Sequence, residues 1–168
     1  MSDYERTSQI CIFSQLPTIL QLAIQQQAEE YHCGQIPDDI LICLETISER
    51  KQAGFFTRFK NRIVGLPAPG SVQHCAAVVL PNWLIWAFTH WQNESQATVL
   101  SVRLNEAEIH EYDQTHLVED HGLNILGFLS GSTERSLQFL GLGQGSDAEQ
   151  FKQCLQQAAQ GSNKTQII

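Results

Sequence analysis

Five cations crowd one short stretch of an otherwise acidic chain. Arg50, Lys51, Arg58, Lys60 and Arg62 follow one another with no acid among them. The whole sequence of 168 residues carries 10 Lys+Arg against 18 Asp+Glu, a formal net charge of −8. Half of the positive charge is thus gathered in one segment, and the rest of the chain has the opposite sign. Such a local field can hold an anion or an anionic surface. The plain alternative is the solvated face of a hairpin. Taken as a whole, the acidic balance argues against general nucleic-acid binding, which needs a positive footprint.

A second stretch collects metal-ligand types. Glu106, Glu108, His110, Glu111, Asp113, His116, Glu119, Asp120 and His121 lie close together in sequence, and imidazole and carboxylate ligands suit Zn²⁺ and other divalent ions. The spacing H-E-x-x-H fails, because Gln114 stands where the second His is required. A polar loop competes with metal binding there, and no ligand set is assigned.

His32-Cys33 and His74-Cys75 raise the possibility of a Cys₂His₂ site or a Cys–His nucleophile. Neighbours in a strand point to opposite faces, and Cys75 sits in an apolar run, where burial leaves a thiol inert. The five cysteines are odd in number and contain no C-x-x-C pair, which suits reduced thiols in a reducing compartment. The glycine-rich run Gly141-Leu142-Gly143-Gln144-Gly145-Ser146 lies between a strand and a helix. It breaks G-x-G-x-x-G at Ser146, and Asp147 and Glu149 in the following helical turn would repel a phosphate. It reads as a flexible turn. With no nucleophile–base–acid set in view, the chain is expected to be non-enzymatic and to need no cofactor.

The elements that place these groups are legible from periodicity. Residues 1–13 read as a loose lead. Leu16, Ile19, Leu20, Ala23, Ile24, Ala28 and Tyr31 repeat at a helical period, with Pro17 at the start and Gly34 at the stop. This helix has no Lys or Arg on its polar face, which disfavours an anionic membrane surface. Docking on the rest of the fold or dimerisation suits it better. Strands are expected at 40–47, 55–64, 74–80, 83–90, 97–104, 123–129 and 136–142. On the 83–90 strand Trp86 and Phe88 share a face that Trp83 opposes. Ser146-Asp147-Ala148-Glu149 matches a capping box, and Phe151, Cys154, Leu155 and Ala158 then mark one face of a C-terminal helix that Gly161 closes. Successive strands without intervening helices imply antiparallel pairing.

This order resembles the PH-like superfamily, in particular the bacterial PH-like and GRAM-like domains. The likeness rests on the hairpin 74–88, with Val78-Val79-Leu80-Pro81-Asn82-Trp83-Leu84-Ile85-Trp86, on the step Ser101-Val102-Arg103-Leu104-Asn105-Glu106-Ala107-Glu108-Ile109-His110-Glu111, and on the last strand with its capped helix, 136–159. The resemblance implies an α+β, mainly β fold: a partly open antiparallel barrel of about seven strands capped by the C-terminal helix, with an extra N-terminal helix. It also implies a binding role. Lys51, Lys60 and Arg62 are similar in type and place to the K-x(n)-[KR]-x-R pattern between the first strands of lipid-binding members.

The expected organisation is an N-terminal helical extension at 1–35, a PH-like barrel at 36–160 and a tail at 161–168. The expected function is binding or assembly with a protein partner, which includes a second copy of the chain. An anionic lipid headgroup or small anion held by Arg50, Lys51, Arg58, Lys60 and Arg62 is the first alternative, and a metal held within 106–121 is the second. No segment approaches the roughly 18 apolar residues of a membrane-spanning helix, and the N-terminus lacks the features of a signal peptide. A cytoplasmic chain is therefore expected, with a place at the membrane periphery if the basic segment binds lipid.

Overall fold

The computed structural model describes residues 4–51, 67–112 and 120–164. The strand expected at 55–64 lies outside them, as do Arg58, Lys60, Arg62, Asp113, His116 and Glu119.

The first correction concerns the start of the chain. Tyr4–Ile10 is a strand, β1, and not a loose lead. Its sequence, YERTSQI, is too polar to announce itself, because it is held by pairing. Every residue from Tyr4 to Ile10 has an antiparallel partner between Arg50 and Leu44 of β2, Ile42–Arg50. The sheet continues through β3 (Val72–Val79), β4 (Trp83–His90) and β5 (Asn93–Arg103) in the order β1-β2-β3-β4-β5. A second antiparallel sheet has the order β6-β7-β8, with β6 at Glu108–Glu111, β7 at Gly122–Phe128 and β8 at Arg135–Gly141. Among the described residues the fold is α+β and mainly β, with two sheets and no closed barrel. The acidic stretch read as a loop contributes β6.

Helix α1, Thr18–Glu30, follows Pro17 and buries Leu20, Ile24, Gln27 and Ala28 on one side. That is the stripe an amphipathic helix must cover. It lies on the five-stranded sheet, where Leu16, Leu20, Ile24 and Ala28 pack with Cys43, Ala76, Val78, Ile85 and Ala87. The opposite face of the same sheet supplies Ile42, Leu44, Ala77, Val79, Leu84, Trp86 and Val102 to a second core. This second core is closed by Leu123, Ile125, Leu140 and Leu142, and by Phe151 and Leu155 of helix α2, Ser146–Lys164. The middle of the large sheet is therefore buried on both faces, which explains its long apolar runs. Trp86 belongs to the inner core and Trp83 packs on the α1 side, as alternation requires.

The two sheets meet at both edges of the larger one. On the β5 side, Val102 bridges to Leu129, and Ser130 N–H donates to Ser101 O at 3.0 Å. On the β1 side the glycine-rich run does the joining. Gly143 N–H donates to Ser8 Oγ at 2.9 Å. A Cβ on Gly143 would stand 2.7 Å from Arg6 O and 2.9 Å from Ser8 N. That glycine is needed for close backbone approach, and this is what the run does here. Asp147, expected in the first helical turn as a charge that would repel phosphate, accepts the backbone N–H of Ile10 at 2.8 Å. It satisfies a donor that an edge strand would otherwise present to solvent. Helix α2 starts at Ser146 as expected, but Glu149 pairs with Lys152 at 2.8 Å and the helix continues past Gly161.

Candidate functional site

Of the five expected basic residues, Arg50 and Lys51 fall within the described residues. Arg50 is only 3% exposed and donates through Nη1 to the carbonyl of Pro67. Its backbone N–H donates to Ser71 O at 3.0 Å, and its carbonyl accepts from Gly70 at 2.9 Å. Arg50 thus ties the end of β2 to Pro67, Gly70 and Ser71, while Lys51 is exposed. Beside this junction the Tyr4 and Trp91 rings lie 5.5 Å apart. They line a shallow hollow of about 390 Å³ with Pro67, His90, Gln92, Asn93 and Gln96.

The acidic stretch is dispersed by the fold. Asp120 is buried and receives both Nε (2.9 Å) and Nη2 (2.7 Å) of Arg6. Glu108 pairs with Arg135, whose guanidinium holds the Glu108 carboxyl below its ordinary value. Glu111 approaches Lys152 at 3.4 Å. Among the described residues no three His, Cys, Asp or Glu side chains are grouped to hold a metal ion.

The His–Cys pairs separate as strand geometry requires. Cys75 faces the inner core, while His74 lies on the other face near Glu45 at 3.4 Å. Cys33 packs under α1, in the other core. Burial pushes the Cys75 thiol up to about 12 and the Cys33 thiol up to about 11.

A surface that the sequence reading did not single out lies on the outer side of the small sheet. Leu137 of β8 is 62% exposed, Phe128 of β7 43% and Phe139 of β8 38%. Leu137 pairs with Leu126, and Phe139 with Asn124. These side chains share one face by strand alternation, and Leu126 and Phe128 lie opposite or diagonal to Leu137, within side-chain reach. Tyr112 extends the patch with an edge contact to Phe139 at 5.1 Å, and the Glu108–Arg135 ion pair flanks it. The alternation on β8 is inverted. Ser136 and Gln138 turn inward and bond one another at 3.4 Å, while Leu137 and Phe139 face out. A slip of one residue would reverse every side chain. Leu140, paired with Leu123 in the inner core, holds the observed register. The sequence signal was the alternation itself, RSLQFLG, whose two apolar sets cannot both be buried.

No protein-family model, curated protein or solved structure matches the chain.

Proposed function

We propose that this chain is a non-enzymatic, PH-like binding module that takes a protein partner on the outer face of β6-β7-β8. The inverted alternation of β8 carries the reading. A small sheet that turns Leu137, Phe139 and Phe128 to water while Ser136 and Gln138 sit half-buried on the face of Leu140 holds an apolar patch where a partner would cover it. The PH-like part rests on the element order, with consecutive antiparallel strands and a C-terminal helix that buries Phe151 and Leu155 against both sheets. The test compares the full chain with a Phe128→Glu/Leu137→Glu variant of equal melting temperature. Affinity capture and sedimentation should show a bound protein, or a second copy, that the variant releases. Identical behaviour of the two proteins overturns the reading.

A second reading is anion binding at the basic segment. It is favoured by the anchoring of Arg50, the first cation of that segment, on half-buried Pro67, which lines the Tyr4–Trp91 hollow. Salt-sensitive co-sedimentation with anionic vesicles, abolished by reversing Lys51, Lys60 and Arg62, supports it. Binding that is absent or indifferent to the reversal removes it.

A further inference from the structure

Five thiols are present, and two of them meet. The β1–β2 register runs Ile10 opposite Leu44, which sets Cys11 opposite Cys43. The Cys11 N–H donates to Cys43 O at 3.1 Å, and the sulfurs stand 3.7 Å apart. Cα atoms of directly opposed residues in an antiparallel pair lie about 4.5–5.5 Å apart. That is inside the span of about 4.4–6.8 Å that a disulfide accepts. The two environments differ. Cys43 is buried beneath α1, whereas Cys11 is half-exposed at the point where β1 gives way to the turn before that helix.

We propose that Cys11 and Cys43 form a reversible intrachain disulfide, with Cys11 as the attacking thiol and Cys43 as the resolving one. The oxidant is a small-molecule disulfide. Cys11 thiolate attacks one sulfur of it, forming a mixed disulfide and releasing one small thiolate. Cys43 then loses its proton and attacks Cys11 Sγ, releasing the second. One external disulfide becomes two thiols, and two protein thiols become one disulfide. The bond encloses the chain from Cys11 to Cys43, including all of α1, and fastens the edge strand to its neighbour.

The electrostatics match this order. The hydrogen bond from Cys43 holds the Cys11 thiol below its ordinary value, while the same contact, with burial, pushes Cys43 up. A lowered thiol is the better nucleophile near neutral pH. Cys33, Cys75 and Cys154 are all raised, chiefly by burial.

The test exposes the folded, reduced full chain to oxidised glutathione, digests it without reduction and maps the linked peptides by mass spectrometry. The expected product is a peptide pair joined through Cys11 and Cys43, which dithiothreitol releases. Cys43→Ser should stop at glutathione on Cys11, and Cys11→Ser should leave Cys43 unmodified while the chain stays folded. The linked pair in the unmutated chain reads the proposal without any variant. A chain that gives no such pair, or in which Cys43 reacts as fast without Cys11, overturns it.

Discussion

Arg6 and Asp120 clamp the two sheets together. Arg6 projects from β1 and Asp120 immediately precedes His121 and β7. Their bidentate contact spans 2.7 and 2.9 Å, and Arg6 Nη1 also donates to Ser48 Oγ at 2.5 Å. The guanidinium stacks near the Tyr4 and Phe139 rings, at 4.9 and 5.7 Å. Removing one member of such a pair leaves the other charge buried without its partner, at a cost of roughly 3–5 kcal/mol. Asp120→Ala should lose that much in urea unfolding. An Arg6→Met/Asp120→Leu chain should recover a large part of it. A single variant as stable as the unmutated chain would remove the clamp from the account of the fold.

The glycine-rich run gives a prediction of a different kind. Gly143→Ala introduces a Cβ against the Arg6 carbonyl and Ser8 amide, both backbone atoms that cannot step aside singly. Overpacking of this sort costs roughly 1–3 kcal/mol. Gly145→Ala meets no atom within 4 Å, but strains a backbone at φ +142°. The two variants should separate by hydrogen exchange. Gly143→Ala should speed exchange of the β1 amides, above all Ile10, whereas Gly145→Ala should act at the start of α2. Unchanged exchange along β1 in Gly143→Ala would argue against close approach as the reason for that glycine.

Helix α1 is fixed by a polar contact as well as by its stripe. Gln27 donates through Nε2 to Ser101 Oγ at 2.8 Å, and Ser101 donates on to Ser130 Oγ at 2.6 Å. The chain of bonds runs from α1 through β5 to the turn after β7, with Ser101 wholly buried. Ser101→Ala strands the Gln27 amide, and an unsatisfied buried donor costs roughly 1–3 kcal/mol. Gln27→Leu removes that donor and adds apolar area, so the two changes should not add. A double-mutant cycle in urea measures the coupling. Strict additivity would mean that the three groups do not act as a network.

Alkaline stability should follow the buried thiols. Burial raises Cys75 from its ordinary 9.0 to about 12 and Cys33 to about 11. A group whose folded value is raised binds its proton more tightly when folded. Its contribution is full below the unfolded value and is lost as pH rises through the folded one. Stability should therefore fall from about pH 9 toward pH 12. Cys75→Val removes one thiol at similar volume and should flatten that slope. Superimposable profiles would show that Cys75 does not titrate with unfolding.

The sequence made some of this readable and hid the rest for physical reasons. The α1 stripe, the opposed faces of Trp83 and Trp86, and the Phe151–Leu155 face of α2 follow from periodicity, because each element buries its own apolar set. β1 does not. Its stability comes from backbone pairing and from distant partners: Arg6 with Asp120, Ser8 with Gly143, Ile10 with Asp147. No local window contains those residues together. The basic candidates divide in the same way. Arg50 and Lys51 are neighbours in sequence, but the strand end buries the first and exposes the second.

The inverted strand β8 supports the sharpest contrast. Leu137 and Leu140 are three residues apart, the same residue type, and on opposite faces. Leu140 is 2% exposed in the inner core and sets the register. Leu140→Ala should therefore cost about 2–5 kcal/mol through lost burial and a cavity. Leu137 makes its contacts on the outer face, so Leu137→Glu should change stability by no more than about 0.5 kcal/mol. It should also abolish the partner retention proposed for that face. Urea unfolding of the two variants separates the faces without knowledge of any partner. If Leu137→Glu costs as much as Leu140→Ala, the outer leucine serves the fold, and the apolar patch loses its claim as a binding surface.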